Sequence, residues 1–222
     1  MMGIIKKVFN QVGKPEGFLG NMMVRGMNRG HAKVSDWGMT HLPKGEPGKI
    51  LEIGCGGGRN VGELLKTYPS STVTAIDYSS VSVDKSTKYN KKAIASGRCV
   101  VKQGDVSALE LPKEKYALAT AFETIYFWPG LERCFAEVFR VLENDGVFLI
   151  VNESDGTDSA SLKFEKIIDG MKCYTKEEIE AALRHVGFQE IVSYHHQSNP
   201  WIAVLAIKSE PKPNTMEKEL IR

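Results

Sequence analysis

The sequence predicts an α/β fold: a three-layer sandwich around a mostly parallel, seven-stranded sheet that ends in an antiparallel hairpin, with a helical cap before the first strand. Three observations carry this. From Lys49 onward, short apolar runs alternate with segments of helical period, the pattern of a parallel sheet with helices on both faces. After residue 175 the alternation changes, and a last helix leads into two strands joined by a short link, which makes them a hairpin. The first apolar run also breaks into Gly54-Cys55-Gly56-Gly57-Gly58 before a helical pattern resumes, which reads as strand, tight loop, helix.

The elements follow in order. Residues 1–45 read as two or three short helices capping the sheet; Ile4, Ile5, Val8, Phe9 and Val12 fall at amphipathic helical spacing. The run Pro-Lys-Gly-Glu-Pro-Gly then marks a turn. Strand one covers 50–53, and a helix over 60–67 puts Val61, Leu64 and Leu65 on one side. Strand two, 72–77, is rich in β-branched residues and ends on an acid. Ser79 caps a helix running to about Ala95, where Gly97 stops it. In that helix Lys85, Lys88, Lys91 and Lys92 form an exposed face. Strands three and four are 99–103 and 116–122. A helix over 131–142 aligns Leu131, Phe135, Val138, Phe139 and Leu142. Asn144-Asp145-Gly146 is a turn, and 147–151 is a continuously apolar fifth strand, as a buried position demands. Thr175 with Glu178 forms a capping box, Gly187 ends that helix, and strands over 188–194 and 201–208 close the sheet. The expected organisation is a cap or lid over 1–45, one ligand-binding domain over 46–208 and a mobile polar tail over 209–222.

Composition narrows the function classes. With 222 residues, 42% hydrophobic and 25% charged, the chain can bury one sizeable core. A net charge of +2 gives no basic excess for a nucleic-acid surface. Four scattered cysteines, Cys55, Cys99, Cys134 and Cys173, lack zinc or disulfide spacing and read as reduced thiols in the cytoplasm. No apolar run reaches the ~20 residues that span a bilayer, and no metal constellation stands out. The expectation is a monomer or homodimer with neither a membrane nor a nucleic-acid partner.

In an open α/β sheet, ligands bind beyond the carboxyl ends of the strands. Three such ends carry chemistry here. The glycine loop can bring backbone N–H groups close to a ligand. Asp77 ends strand two nineteen residues past Gly58; it can accept hydrogen bonds from both hydroxyls of a ribose, or cap the next helix. Gly104-Asp105-Val106 follows strand three, where an acid can bind an exocyclic amine while the apolar residue packs a base. A dinucleotide fingerprint fits only in part, because its third glycine falls on Arg59.

An acid-x-glycine-x-glycine-x-glycine pattern fits fully at Glu52, Gly54, Gly56 and Gly58. On these residues, with the acid after strand two, the Gly-Asp-Val after strand three and the closing hairpin around Gly187-Phe188, the chain resembles the class I S-adenosylmethionine-dependent methyltransferases of the methyltransferase-11 type. The resemblance covers roughly residues 40 to 208. It implies a Rossmann-like fold, S-adenosylmethionine as cofactor and S-adenosylhomocysteine as product. It further implies that Glu52 orients the glycine loop, that Gly54, Cys55, Gly56 and Gly58 admit the methionine part and ribose, that Asp77 holds the ribose with Tyr78 beside the adenine, and that Gly104, Asp105 and Val106 bind adenine. Phe122, Glu123 and Tyr126 fall where the family places groups near the transferring methyl. His31 and Trp37 would face the site from a lid.

Blander roles stand beside these. Glu123 also reads as a structural carboxylate, and Tyr126, Phe127 and Trp128 as core. His31 reads as structural, and His195 and His196 as solvated loop residues. Near-neutral charge favours a small organic methyl acceptor, attacked by in-line displacement; a non-catalytic domain binding S-adenosylmethionine or its product is the alternative. The insert over 152–173 is expected to form a second piece of the pocket wall.

Overall fold

The computed structural model describes residues 30–209. Seven strands form one sheet in the order β3-β2-β1-β4-β5-β7-β6. Strands β1 (Lys49–Ile53), β2 (Thr72–Asp77), β3 (Cys99–Gln103), β4 (Tyr116–Phe122) and β5 (Leu142–Asn152) run parallel; β6 (Glu190–His195) and β7 (Ile202–Ile207) close the far edge as an antiparallel pair. The chain winds outward from β1 through β2 to β3, then returns to place β4 on the other side of β1. The order therefore switches between β1 and β4, where an open α/β sheet leaves a crevice at its carboxyl ends.

Alternation along the strands divides the core. Leu51, Ile53, Phe148 and Ile150 point to one face, under α5 (Leu131–Val141) and α7 (Lys176–Val186). Ile50, Val73 and Leu118 point to the other, under α2 (Arg59–Thr67). Farther along that face Leu149 and Val151 meet Val34 of α1 (Ala32–Met39). Gly38 lets α1 sit down on β5: a Cβ there would come within 2.5–2.6 Å of the Val151 methyls.

Three details differ from expectation. The helix after β2 is two helices, α3 (Ser80–Tyr89) and α4 (Lys91–Ala95). Between them Asn90 is buried, and its amide donates to the Gly58 and Ser86 carbonyls at 2.9 and 3.1 Å. That side chain ties the helix to the glycine loop in place of continuing it. Second, β5 begins at Leu142, five residues before the expected Val147, because Asn144-Asp145-Gly146 is an irregularity inside the strand. Asp145 takes φ +62° and donates its N–H to the Lys208 carbonyl, so the segment stays in the sheet. Third, the one cap helix within the described residues is α1; the other expected cap helices and all but the first residue of the expected mobile tail lie outside them. The insert holds α6 (Ser159–Ile167), whose Asp158 cap accepts from the Ser161 N–H. The capping box at Thr175 and Glu178 forms, and Gly187 ends α7 at φ +113°. All four cysteines are buried free thiols. Among the described residues no helix is long and apolar enough to cross a membrane.

Candidate functional site

A cavity of about 430 Å³ opens over the β1/β4 crevice, within the size range of small-molecule sites. Its floor is the glycine loop. The Gly54 and Cys55 N–H groups donate to the Ile76 carbonyl at 2.8 and 3.0 Å, which pins the loop to the end of β2. Gly54 and Gly58 serve packing, since a Cβ would overlap Thr124 at the first and Ser86 and Asn90 at the second. Gly56 is different: at φ +51° it faces open space, and its N–H donates to Asp77 Oδ2 at 2.8 Å. The cavity thus meets bare backbone at Gly56, where a ligand can approach.

Asp77 Oδ1 accepts from the Ser79 N–H at 2.9 Å. Burial pushes its carboxyl up, against the hydrogen bonds from Ser79, Gly56 and Ser82. The Gly56 and Ser79 N–H groups and the Ser82 hydroxyl take three of the carboxylate's about four acceptor positions, which leaves Asp77 capacity for a further hydroxyl. Tyr78, 54% exposed, borders the cavity beside it. Gly104, Asp105 and Val106 form the adjoining wall. Asp105 Oδ1 accepts from the Ser107 N–H and hydroxyl, both at 2.8 Å, and thereby holds the turn that presents Val106.

The opposite end collects Phe122, Glu123, Thr124 and His31. Glu123 takes φ +58°, a conformation few non-glycine residues adopt. Its N–H donates to the Val151 carbonyl at 2.9 Å, and its Oε1 accepts from the Glu153 N–H. Burial and the neighbouring Glu153 charge raise its carboxyl well above the usual range. His31 Nε2 lies 3.8 Å from Glu153 Oε2; burial lowers the imidazole, partly countered by Glu153. Helix α1 is held over this end by an ion pair from Arg59 Nη2 to Asp36 Oδ1 at 2.5 Å and by Asn60 donating to the Ser35 hydroxyl at 3.3 Å.

Several expected site residues sit elsewhere. Glu52 is completely buried behind the loop, outside the cavity wall, and accepts from the Thr120 hydroxyl, while its Oε1 has no partner. Burial outweighs that bond, and with a small push from Asp77 its carboxyl rises to about 8. Gly58 likewise lies behind the wall, as does Tyr126, whose hydroxyl accepts from the Ser154 N–H at 3.0 Å; Phe127, Trp128 and Pro129 line the cavity instead. Trp37 packs against the rings of His41, His196 and Trp201 and is not part of the wall. His196 is a structural acceptor, its Nδ1 taking the Ser198 and Asn199 N–H groups. No residue of 152–173 lines the cavity. Sequence reasoning missed Ser35, Asn60 and Glu153; the last carries no local motif and acquires meaning only from its neighbours in space.

Comparison with known proteins agrees with this geometry. Residues 50–146 match a family model described as a methyltransferase domain. Over 175 residues the chain is 26% identical to the sterol 24-C-methyltransferase of Yarrowia lipolytica, covering 72% of this chain and 46% of that protein. It is also 26% identical over 167 residues to the malonyl-[acyl-carrier protein] O-methyltransferase of Geobacter sulfurreducens, covering 68% and 61%. The chain thus spans about half the length of the sterol enzymes it matches. Among solved structures, the methyltransferase in complex with the Haloferax volcanii Trm112 activator superposes with a TM-score of 0.76 at 15% identity, covering 84% of this chain and 94% of that one. Geranyl diphosphate methyltransferase, solved with geranyl diphosphate and sinefungin, gives 0.64 at 14% identity, covering 81% and 79%. The matched segment begins at β1, and the sheet order carries the glycine loop to the switch point, so the chain is similar to methyltransferases in the sequence of its central domain and in its fold.

Proposed function

We propose that this chain transfers a methyl group from S-adenosylmethionine to a small organic acceptor. The observation that carries the reading is a single cavity joining Asp77, Gly56 and Asp105 at one end to His31 and Glu123 at the other. Its residues suit the cofactor: Gly56 leaves space where any side chain would intrude, and Asp77 keeps acceptor capacity for a ribose hydroxyl. Asp105 and Val106 offer the polar edge and apolar face that an adenine takes, and Tyr78 borders the same end.

When bound, S-adenosylmethionine supplies a methyl group already made electrophilic by its sulfonium. The protein then contributes alignment and exclusion of water. Phe122, Phe127 and Trp128 give the acceptor end apolar walls, and His31, Glu123 and Thr124 are polar groups that line it. The near-neutral charge supports a small molecule over a nucleic acid. The buried free thiols support a reducing, cytoplasmic setting.

Calorimetry with S-adenosylhomocysteine and with NAD tests the cofactor assignment; binding of the first and not the second is expected, and the reverse refutes it. A labelled-methyl assay over pooled metabolites then tests catalysis, with transfer to at least one pool expected. Absence of transfer from a chain that binds the cofactor would leave a binding domain.

A further inference from the structure

We propose that His31, Glu123 and Glu153 form a binding site for one divalent first-row transition-metal ion at the acceptor end of the cavity. The three residues come from separate elements: the N-terminus of α1, the end of β4 and the turn after β5. One ligand atom from each lies within 4.8 Å of the other two. Metal–ligand bonds of roughly 2.0–2.2 Å set donor atoms about 3–3.5 Å apart, so modest side-chain rotations close the set. The 3.8 Å His31–Glu153 separation is already near that spacing.

Charge balance supports the assignment independently. Among the described residues the one ion pair recorded for these carboxylates is to His31. Arg59, the cation on the cavity wall, is spent on Asp36. Two carboxyl groups side by side in a partly buried pocket are neutralised either by a proton or by a compensating cation. An imidazole with two carboxylates suits manganese, iron or zinc in the divalent state. The orienting contact also exists: the Glu153 N–H donates to Glu123 Oε1 and fixes that carboxylate. Glu123 holds a left-handed backbone to reach this position, and such outliers cluster at functional sites. Three protein ligands leave coordination positions open. Because His31 and Glu123 line the cavity, those positions are accessible from it, and an oxygen or nitrogen of the acceptor could fill one; that last step rests on the methyl-transfer reading.

The test is titration of chelator-treated protein with Mn²⁺ and Zn²⁺ alone, by calorimetry and, for Mn²⁺, by electron paramagnetic resonance. One ion per chain is expected. His31→Asn and Glu153→Gln should each weaken it by roughly tenfold or more, and Glu63→Gln, a carboxylate outside the cavity wall that pairs with Lys66, should not. The ion should also slow amide exchange over 32–39 in the wild type and not in Glu153→Gln, because it ties α1 to the strand ends. Retained S-adenosylhomocysteine affinity identifies the variants as folded. No saturable binding at millimolar metal, or binding unchanged in both variants, overturns the site. Failure of the methyl-transfer reading would show separately, as wild-type protein that binds metal and not S-adenosylhomocysteine.

Discussion

Asp77 has two duties, and they predict how it fails. Its oxygens hold the Gly56 and Ser79 N–H groups and border the cavity. Asp77→Ala removes acceptors for a ligand and loosens the loop together. S-adenosylhomocysteine affinity should fall by about 1.5–3 kcal/mol, from lost hydrogen bonds to a charged group; unchanged affinity in calorimetry would remove Asp77 from the ribose role. Glu52 behaves differently because nothing compensates its burial beyond Thr120. Its folded carboxyl titrates near 8, against an ordinary value of 4.5. Between those values the folded chain keeps a proton that the unfolded chain has released, so this group's contribution to stability falls as pH rises through that window and levels off above it. Urea denaturation across pH should show Glu52→Gln losing that slope, with a gain over wild type of about 3–5 kcal/mol above pH 8. Parallel pH profiles for the two proteins would refute it.

Single helices are positioned by contacts at one or two residues. Helix α1 depends on Gly38 to approach β5 and on Asp36 and Ser35 to reach α2. Gly38→Ala forces a methyl against Val151, a branched side chain with little freedom to move. Such overpacking should cost about 1–3 kcal/mol in denaturant unfolding, with faster amide exchange over 32–39. Helix α7 shows a local signal that the tertiary structure leaves alone. Thr175 and Glu178 form the capping box their spacing implies, and Thr175→Ala should cost about 0.5–2 kcal/mol in the same measurement. Helices α3 and α4 show the converse. Their helical pattern is continuous in sequence, yet Asn90 bonds to Gly58, a residue 32 positions away, and the helix breaks there.

On the scale of the molecule, the larger core is organised around aromatic rings between the sheet and the α5/α7 layer. Phe148 of β5 stacks on Trp128 at 6.4 Å and meets Phe135 and Phe188 at 5.6 and 6.2 Å. Phe148→Ala should lower unfolding free energy by about 3–5 kcal/mol. Trp128 both anchors this core and lines the cavity, its Nε1 donating to the Thr124 hydroxyl at 3.2 Å. Cofactor affinity should therefore fall along with stability, and calorimetry on the folded fraction of Phe148→Ala checks that coupling.

The sequence by itself determined the alternation of strands and helices, the glycine loop at Gly54–Gly58, and the acids that end β2 and follow β3. Those features are local: a side-chain period, a turn needing positive φ, a carboxylate beside a strand end. It could not show that Glu52 and Tyr126 stand behind the cavity wall, or that Trp37 joins Trp201 and His196 while His31 lines the cavity. Nor could it join His31, Glu123 and Glu153, which share no motif and no element. Which face a side chain takes at the end of a strand, and which distant loop lies opposite, depends on strand order and helix seating. Those are set by burial and hydrogen bonding across the whole sheet, and only the tertiary structure decides them.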